Sequence, residues 1–122
     1  MLDKQIIITC NGHEIANRVL IPQTLIEKLN GMTKIKATPG LAMLWIFKRE
    51  QLQLFDMLKM KEAIGYIALD KDKRIIDTGV LQPGWHFKLI KLQYWIEVAP
   101  GAINGLQKGG MLIWQNEKII SN

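Results

Sequence analysis

Seven consecutive apolar residues, Leu41-Ala42-Met43-Leu44-Trp45-Ile46-Phe47, constrain this chain more than any other feature. The run has the length of a strand and falls short of the roughly 10–12 residues expected of a buried helix. Strand side chains alternate between two faces, so a run with no polar member needs cover on both. Residues 41–47 therefore read as the central strand of a sheet with packing above and below it.

The flanking sequence supplies further strands, mostly in pairs. Residues 4–20 read as a β-hairpin: the β-branched run Ile6-Ile7-Ile8-Thr9 goes up, Asn11-Gly12 turns, and 14–20 return. Asn-Gly tolerates the positive φ that a two-residue turn demands. A second hairpin is expected over 63–81, folding at the charged turn Asp70-Lys71-Asp72-Lys73. Residues 48–51 read as a polar turn and 52–57 as a weakly alternating segment. In the 14-residue stretch 86–99 the apolar positions change parity between Leu89 and Ile90, so a bulge or bend belongs there. Beyond it Lys91, Gln93 and Glu97 fall on the outer, wet face, and Trp95 with them. A last strand is expected at 111–115 and an edge tail at 117–120.

Helical spacing is confined to one place. Leu25, Ile26, Leu29 and Met32 share a face at 23–30, with Pro22 at the entry, where its missing N–H costs nothing, and Asn30-Gly31 as the stop. The helix is expected to lay that face on the sheet. Pro100-Gly101 allows a second short helix at 102–107. The fold class that follows is mainly β: a single domain over 1–122, with a curved, partly open, barrel-like antiparallel sheet and two short helices. A chain of 122 residues buries enough surface to need no staple, and its single cysteine, Cys10, excludes an intrachain disulfide.

Most catalytic and cofactor chemistry finds no residues to carry it. Cys10, His13 and His86 are too few and too scattered for a structural zinc site. No Gly-rich stretch ends in Gly-Lys-Ser/Thr, and the only serine is Ser121, which removes serine hydrolysis. Cys10 and His13 face each other across the Asn11-Gly12 turn, but no third residue completes a nucleophilic site. No cofactor and no metal is expected. Residues 1–11 lack the apolar run of a secretory leader, and no stretch reaches the roughly 20 apolar residues of a membrane span. The expected location is cytoplasmic. The net charge of +5 is spread rather than striped. Lys34 and Lys36, Lys59 and Lys61, and Lys71 and Lys73 sit two apart and share solvated faces.

The aromatic residues Trp85, Phe87, Tyr94 and Trp95 are interleaved with His86, Lys88 and Lys91. That pattern can stack the bases of a single strand, or it can be core aromatics with lysines outside. The order of features along the chain resembles the family called domain of unknown function 192. The resemblance rests on Asn30-Gly31-Met32, Ala42-Met43-Leu44-Trp45-Ile46-Phe47, Phe55-Asp56-Met57-Leu58-Lys59-Met60, Ile67-Ala68-Leu69-Asp70, Glu97-Val98-Ala99-Pro100-Gly101 and Gly105-Leu106-Gln107-Lys108-Gly109-Gly110. It spans 19–114 and implies a compact, β-dominated fold but no mechanism, because the family's activity is not established. It also implies a polar site near 55–60. Here Asp56, Lys59 and Met60 stand where the family has Trp, Asn and Thr, and Gly65 stands where it has Asp.

The functional expectation is a non-enzymatic binding or protein-interaction module. Its contact surface is placed at loop 82–86 with Trp85 and His86, at 57–61 with Met57, Lys59 and Lys61, and at Trp95. Trp is favoured at binding hot spots, and Met suits adaptable contacts. The partner is a protein or a small molecule, and a homo-oligomer is open. The alternatives are a hydrolase-type enzyme using Asp56, Glu62 or Glu97 in a cleft, and a weak single-stranded nucleic-acid binder. The competing structural reading is that Trp85 caps the end of the barrel.

Overall fold

Asn11 and Gly12 both take positive φ, 52° and 80°, and fold β3 (His13–Ile21) back onto β2 (Ile8–Cys10). The first arm of this hairpin is broken, and β1 (Leu2–Lys4) pairs with the far end of β3, Leu2 opposite Ile21. A short helix, α1 (Leu25–Asn30), then carries the chain over to β4 (Gly40–Met57), which runs parallel to β3. The remaining strands are β5 (Ile64–Leu69), β6 (Ile75–Leu81), β7 (Gly84–Val98) and β8 (Leu112–Trp114), with a 3-10 turn at Pro100–Ile103. The computed structural model describes residues 1–114, so the expected edge tail at 117–120 lies outside the described residues.

The strands form one mixed sheet in the order β6-β5-β7-β4-β3-β2-β8, with β1 beside β3 and every pair but β3–β4 antiparallel. The sheet curls until its ends touch at one isolated bridge, Arg74 to Met111, where the Ile75 N–H donates to the Gly110 carbonyl at 2.8 Å. Elsewhere the curl stays open. The fold is thus the mainly β, open, barrel-like sheet with few short helices that the strand count implied. No helix among the described residues is long and apolar enough to cross a membrane.

The central run behaves as its composition requires. Ala42 and Leu44 pack in a first core with Ile6, Ile8, Val19, Ile67 and Ile96, whereas Met43 and Trp45 pack in a second with Met32, Tyr66, Leu92 and Trp95. Both faces of β4 are covered over residues 41–45, which stabilises an apolar run that would otherwise expose alternate side chains, whereas Ile46 is 39 % exposed.

Four expectations are corrected. Residues 48–51 form no turn; β4 continues through them with an irregular register, since Ile46 opposes Tyr94 while Gln51 opposes Leu92. The parity change on β7 is real but lies further along. Ile90 and Leu92 pack with the second core and Tyr94 and Ile96 with the first, so the switch falls opposite the irregular part of β4. The expected helix at 102–107 is the single 3-10 turn at Pro100–Ile103. Finally, α1 does not lie on the sheet: Leu25, Ile26 and Leu29 are 70–73 % exposed, and of the predicted face only Met32, beyond the helix, is buried. The helix is held by its cap instead. Thr24 Oγ1 accepts from the Glu27 N–H at 3.1 Å while Glu27 Oε1 accepts from the Thr24 N–H at 3.2 Å, a capping box.

Candidate functional site

β4 and β7 extend beyond the rest of the sheet as a two-stranded ribbon. Leu54 lies opposite Leu89, Asp56 opposite Phe87, and Met57 opposite Gly84. This register joins the two sequence segments chosen as a contact surface, 57–61 and 82–86, at one end of the ribbon. Trp85 is 83 % exposed and lies 6.1 Å from the Phe87 ring, so it does not cap a core. Side chains opposite one another in a strand pair share a face, and here that face is mostly apolar: Leu52, Leu54, Phe87 and Leu89 are all exposed on it, with Lys91 opposite Leu52 and Asp56 opposite Phe87. His86 is exposed, and Lys59 and Lys61 line separate cavities.

Two of the chosen residues sit elsewhere. Met57 is buried, and Trp95 is fully buried, stacked between Phe55 (3.8 Å between ring centroids) and Tyr66 (4.9 Å). The assignment of Trp95 to a wet outer face assumed that β7 has one. Phe55, from the far part of β4, instead stacks on the Trp95 ring, and Met32 and Met60 pack in the same core, so both faces of this end of β7 are packed. Glu97, two residues on and therefore on the same face, is drawn in with it and is only 9 % exposed.

Glu97 forms the floor of a cleft of about 290 Å³. One wall is the end of α1 and the turn after it, with Lys28, Leu29 and Met32. The other comes from β4 and its continuation, with Trp45, Phe55, Asp56, Leu58, Lys59 and Met60. The Trp45 Nε1–H donates to the Lys28 carbonyl at 3.3 Å and ties the walls together. Gly31, at φ +51°, makes the close approach: a Cβ there would stand 3.2 Å from Trp45 Cζ2 and 3.6 Å from Glu97 Oε1.

The carboxyl chemistry of this cleft is unusual. Glu97 Oε2 accepts from the Trp95 Nε1–H at 2.9 Å. Burial pushes the Glu97 carboxyl up to about 7; the charge of Asp56 adds to the rise and the Trp95 hydrogen bond opposes it. Asp56 Oδ1 accepts from the Leu58 N–H at 3.0 Å. Among the described residues neither carboxylate has an ion-pair partner. Sequence reasoning had named Asp56 and Glu97 as carboxylates but had placed Glu97 in water. The signal available was Trp95-x-Glu97, a buried indole with an acceptor two residues along the same face. The third carboxylate, Glu62, lines a separate cavity of about 210 Å³ with Ile35 and Lys61 and does not join the pair.

Other candidates are accounted for. Lys88, one of the cations beside the aromatics, pairs with Asp77 at 2.5 Å, and Asp77 also accepts from the Tyr66 hydroxyl at 3.1 Å. Cys10 and His13 line a wide cavity of about 630 Å³, but Cys10 is buried and the two residues meet as strand partners beside the turn, with no third residue to complete a nucleophilic site among the described residues. Among the described residues no group of three or more His, Cys, Asp or Glu could hold a metal ion. Gly65, at the position where the family pattern has Asp, is tightly enclosed: a Cβ would stand 3.0 Å from Ile103 Cγ2 and 3.2 Å from the Ala99 carbonyl oxygen, so a side chain there would require its neighbours to shift.

No protein-family model matches the chain, and no curated protein matches it in sequence. Two solved structures share its fold. One, from Sinorhizobium meliloti 1021, is described as a "putative transcription regulator"; it has a TM-score of 0.76 at 14% identity, covering 93% of this chain and 94% of that one. The other is a protein of unknown function from Novosphingobium aromaticivorans DSM 12444, with a TM-score of 0.77 at 14% identity, covering 89% of this chain and 83% of that one. At such identity the likeness is one of fold alone.

Proposed function

We propose that this chain is a non-enzymatic binding module that takes a ligand into the cleft beneath α1. The observation that carries the reading is a buried carboxyl on the floor of a cleft whose rim, Leu29, Leu54 and Leu58, is apolar and open to water. Ligand sites commonly combine apolar walls with a few convergent polar groups. The rim continues into the ribbon face, so Trp85 and His86, with Lys59 at the cleft, are the contacts offered to a ligand that extends beyond it. Lys61 lies by the neighbouring cavity and serves a longer ligand or a protein partner. The resemblance to the domain of unknown function 192 family is kept as part of this proposal, supported by the order of its motifs.

The test uses the protein's own indoles. A fragment library is screened by NMR, following the Nε1–H signals of Trp45 and Trp95 at the cleft, with Trp114 in the other core as control. Ligands of the cleft should move the first two and leave the third. A library that moves neither cleft indole overturns the reading.

The meeting of Asp56 and Glu97 in one cleft favours a second reading, a hydrolase-type enzyme. A carboxyl held near neutrality can serve as a general acid beside an ionised partner. It ranks second because, among the described residues, the cleft lining holds no Ser, Cys or His beside the pair. For nucleic acid the case is weaker still: of the four interleaved aromatics Trp95 is fully buried and Tyr94 packs on the first core, which leaves Trp85 and Phe87 exposed, and Lys88 is paired.

A further inference from the structure

We propose that the ligand of this cleft carries a primary ammonium group on an apolar stem, with the ammonium seated against Glu97 and Asp56 and the stem along Trp45, Phe55 and Met60. The inference rests on the cleft being a binding site and names what it binds.

Three observations lead to it. The first is unspent charge. Two carboxyl groups line one cleft, and among the described residues no cation lies within ion-pair distance of either. Lys28 from α1 and Lys59 beyond β4 line the same cleft but are not paired with them. Opposite charge is worth more where water is displaced, so a cation entering this space gains more than it would at the surface.

The second is an unused acceptor. Glu97 is 9 % exposed, and the hydrogen bond it makes within the described residues occupies Oε2. Oε1 stands by Gly31 at the cavity, and among the described residues no donor reaches it. An ammonium offers three donors and no acceptor, which suits the free Glu97 oxygen with the Asp56 carboxyl on the wall of the same cleft.

The third is the wall chemistry. Aromatic faces attract cations, and Trp45 and Phe55 flank the space, with Met32 and Met60 as adaptable apolar filling. A volume of about 290 Å³ admits a small stem only. An anion could reach Lys28 and Lys59, but both are exposed, and at the buried end it would sit against Glu97; a divalent metal ion would find no third His, Cys, Asp or Glu to hold it among the described residues. Seating the ammonium on ionised Glu97 releases the proton that this carboxyl carries below about pH 7, and the released proton goes to solvent.

Hexylamine, hexan-1-ol and hexanoate are titrated against the whole chain at pH 8, following the Trp45 and Trp95 indole signals. Nα-acetyl-lysinamide is the arm for a lysine side chain borne by a peptide. Hexylamine or the lysine derivative should bind at least about tenfold tighter than hexan-1-ol, and hexanoate weakest. Below pH 7 affinity should fall by up to about tenfold per pH unit, following a one-proton linkage. E97Q should weaken the amine about tenfold or more and flatten that pH profile, while hexan-1-ol is unaffected; D56N should weaken the amine without removing the profile. Binding of the lysine derivative alone supports the same chemistry and identifies a peptide-borne source. Equal binding of hexylamine and hexan-1-ol overturns the cation while leaving the cleft as a site. Silence from all four ligands also overturns it, and the fragment screen then decides separately whether the cleft binds anything.

Discussion

Replacing Glu97 by Gln isolates the most unusual group in the fold. The Glu97 carboxyl titrates near 7 instead of its ordinary 4.5, chiefly because it is buried. Between those values the folded chain holds a proton that the unfolded chain has released. Stability therefore falls as pH rises through this window and levels off above it. At about 1.4 kcal/mol for each pH unit, the gap amounts to a loss of about 3 kcal/mol between pH 4.5 and pH 8. Gln keeps the shape and an oxygen to accept from the Trp95 Nε1–H, and it does not titrate. E97Q should match the parent near pH 4.5 and exceed it by up to about 3 kcal/mol at pH 8. The assay is urea unfolding at pH 4.5, 5.5, 6.5, 7.5 and 8.5, read by tryptophan fluorescence, with unchanged m-values as the check that the unfolded state is the same. Other titrating groups contribute to both proteins and cancel in the difference. Parallel pH profiles, or a parent more stable than the variant at pH 8, would refute a buried, proton-holding Glu97.

The remaining predictions follow from neighbouring geometry. D56N removes the negative charge that helps to raise Glu97, so the midpoint of the stability loss should move to lower pH; an unmoved midpoint would show that Asp56 does not sense Glu97. W85A should change unfolding free energy by no more than about 0.5 kcal/mol because the ring is exposed, whereas W95A should cost about 3–5 kcal/mol because it removes a fully buried, doubly stacked ring. Equal losses in the two denaturation curves would contradict that contrast. G65A should destabilise by about 1–3 kcal/mol through overpacking against Ile103 and the Ala99 carbonyl. A neutral result there would mean that the 3-10 turn yields freely.

The parts of this protein that local chemistry determines were legible in its sequence. Asn11-Gly12 specified a hairpin because so few residue pairs accept positive φ twice in succession. The run 41–47 specified a strand because it has no polar side to show, and its cover on both faces holds through Trp45 and lapses at Ile46. The charged turn at 70–73 specified the second hairpin: Asp70 Oδ1 accepts from the N–H groups of Asp72 and Arg74 at 2.8 and 3.0 Å. Even the capping box of α1 stands in the sequence as Thr24-Leu25-Ile26-Glu27, although the start read from Pro22 passed over it.

What only the tertiary structure decided is which faces are wet. Alternation assigns residues to two faces but does not say what covers each. Trp95 and Glu97 were assigned to solvent because their parity opposes Ile96 and Val98, yet Phe55 and Met32, distant along the chain, pack on that face and build a second core. The same ambiguity ran the other way at α1, where a helical stripe of Leu25, Ile26 and Leu29 found no surface to cover. The cleft exists because Gly31 lets that turn approach Trp45 and because long-range register sets Trp45 opposite Trp95. A carboxyl's proton affinity depends on how much water and which charges surround it, and those are supplied by strands and turns distant along the chain.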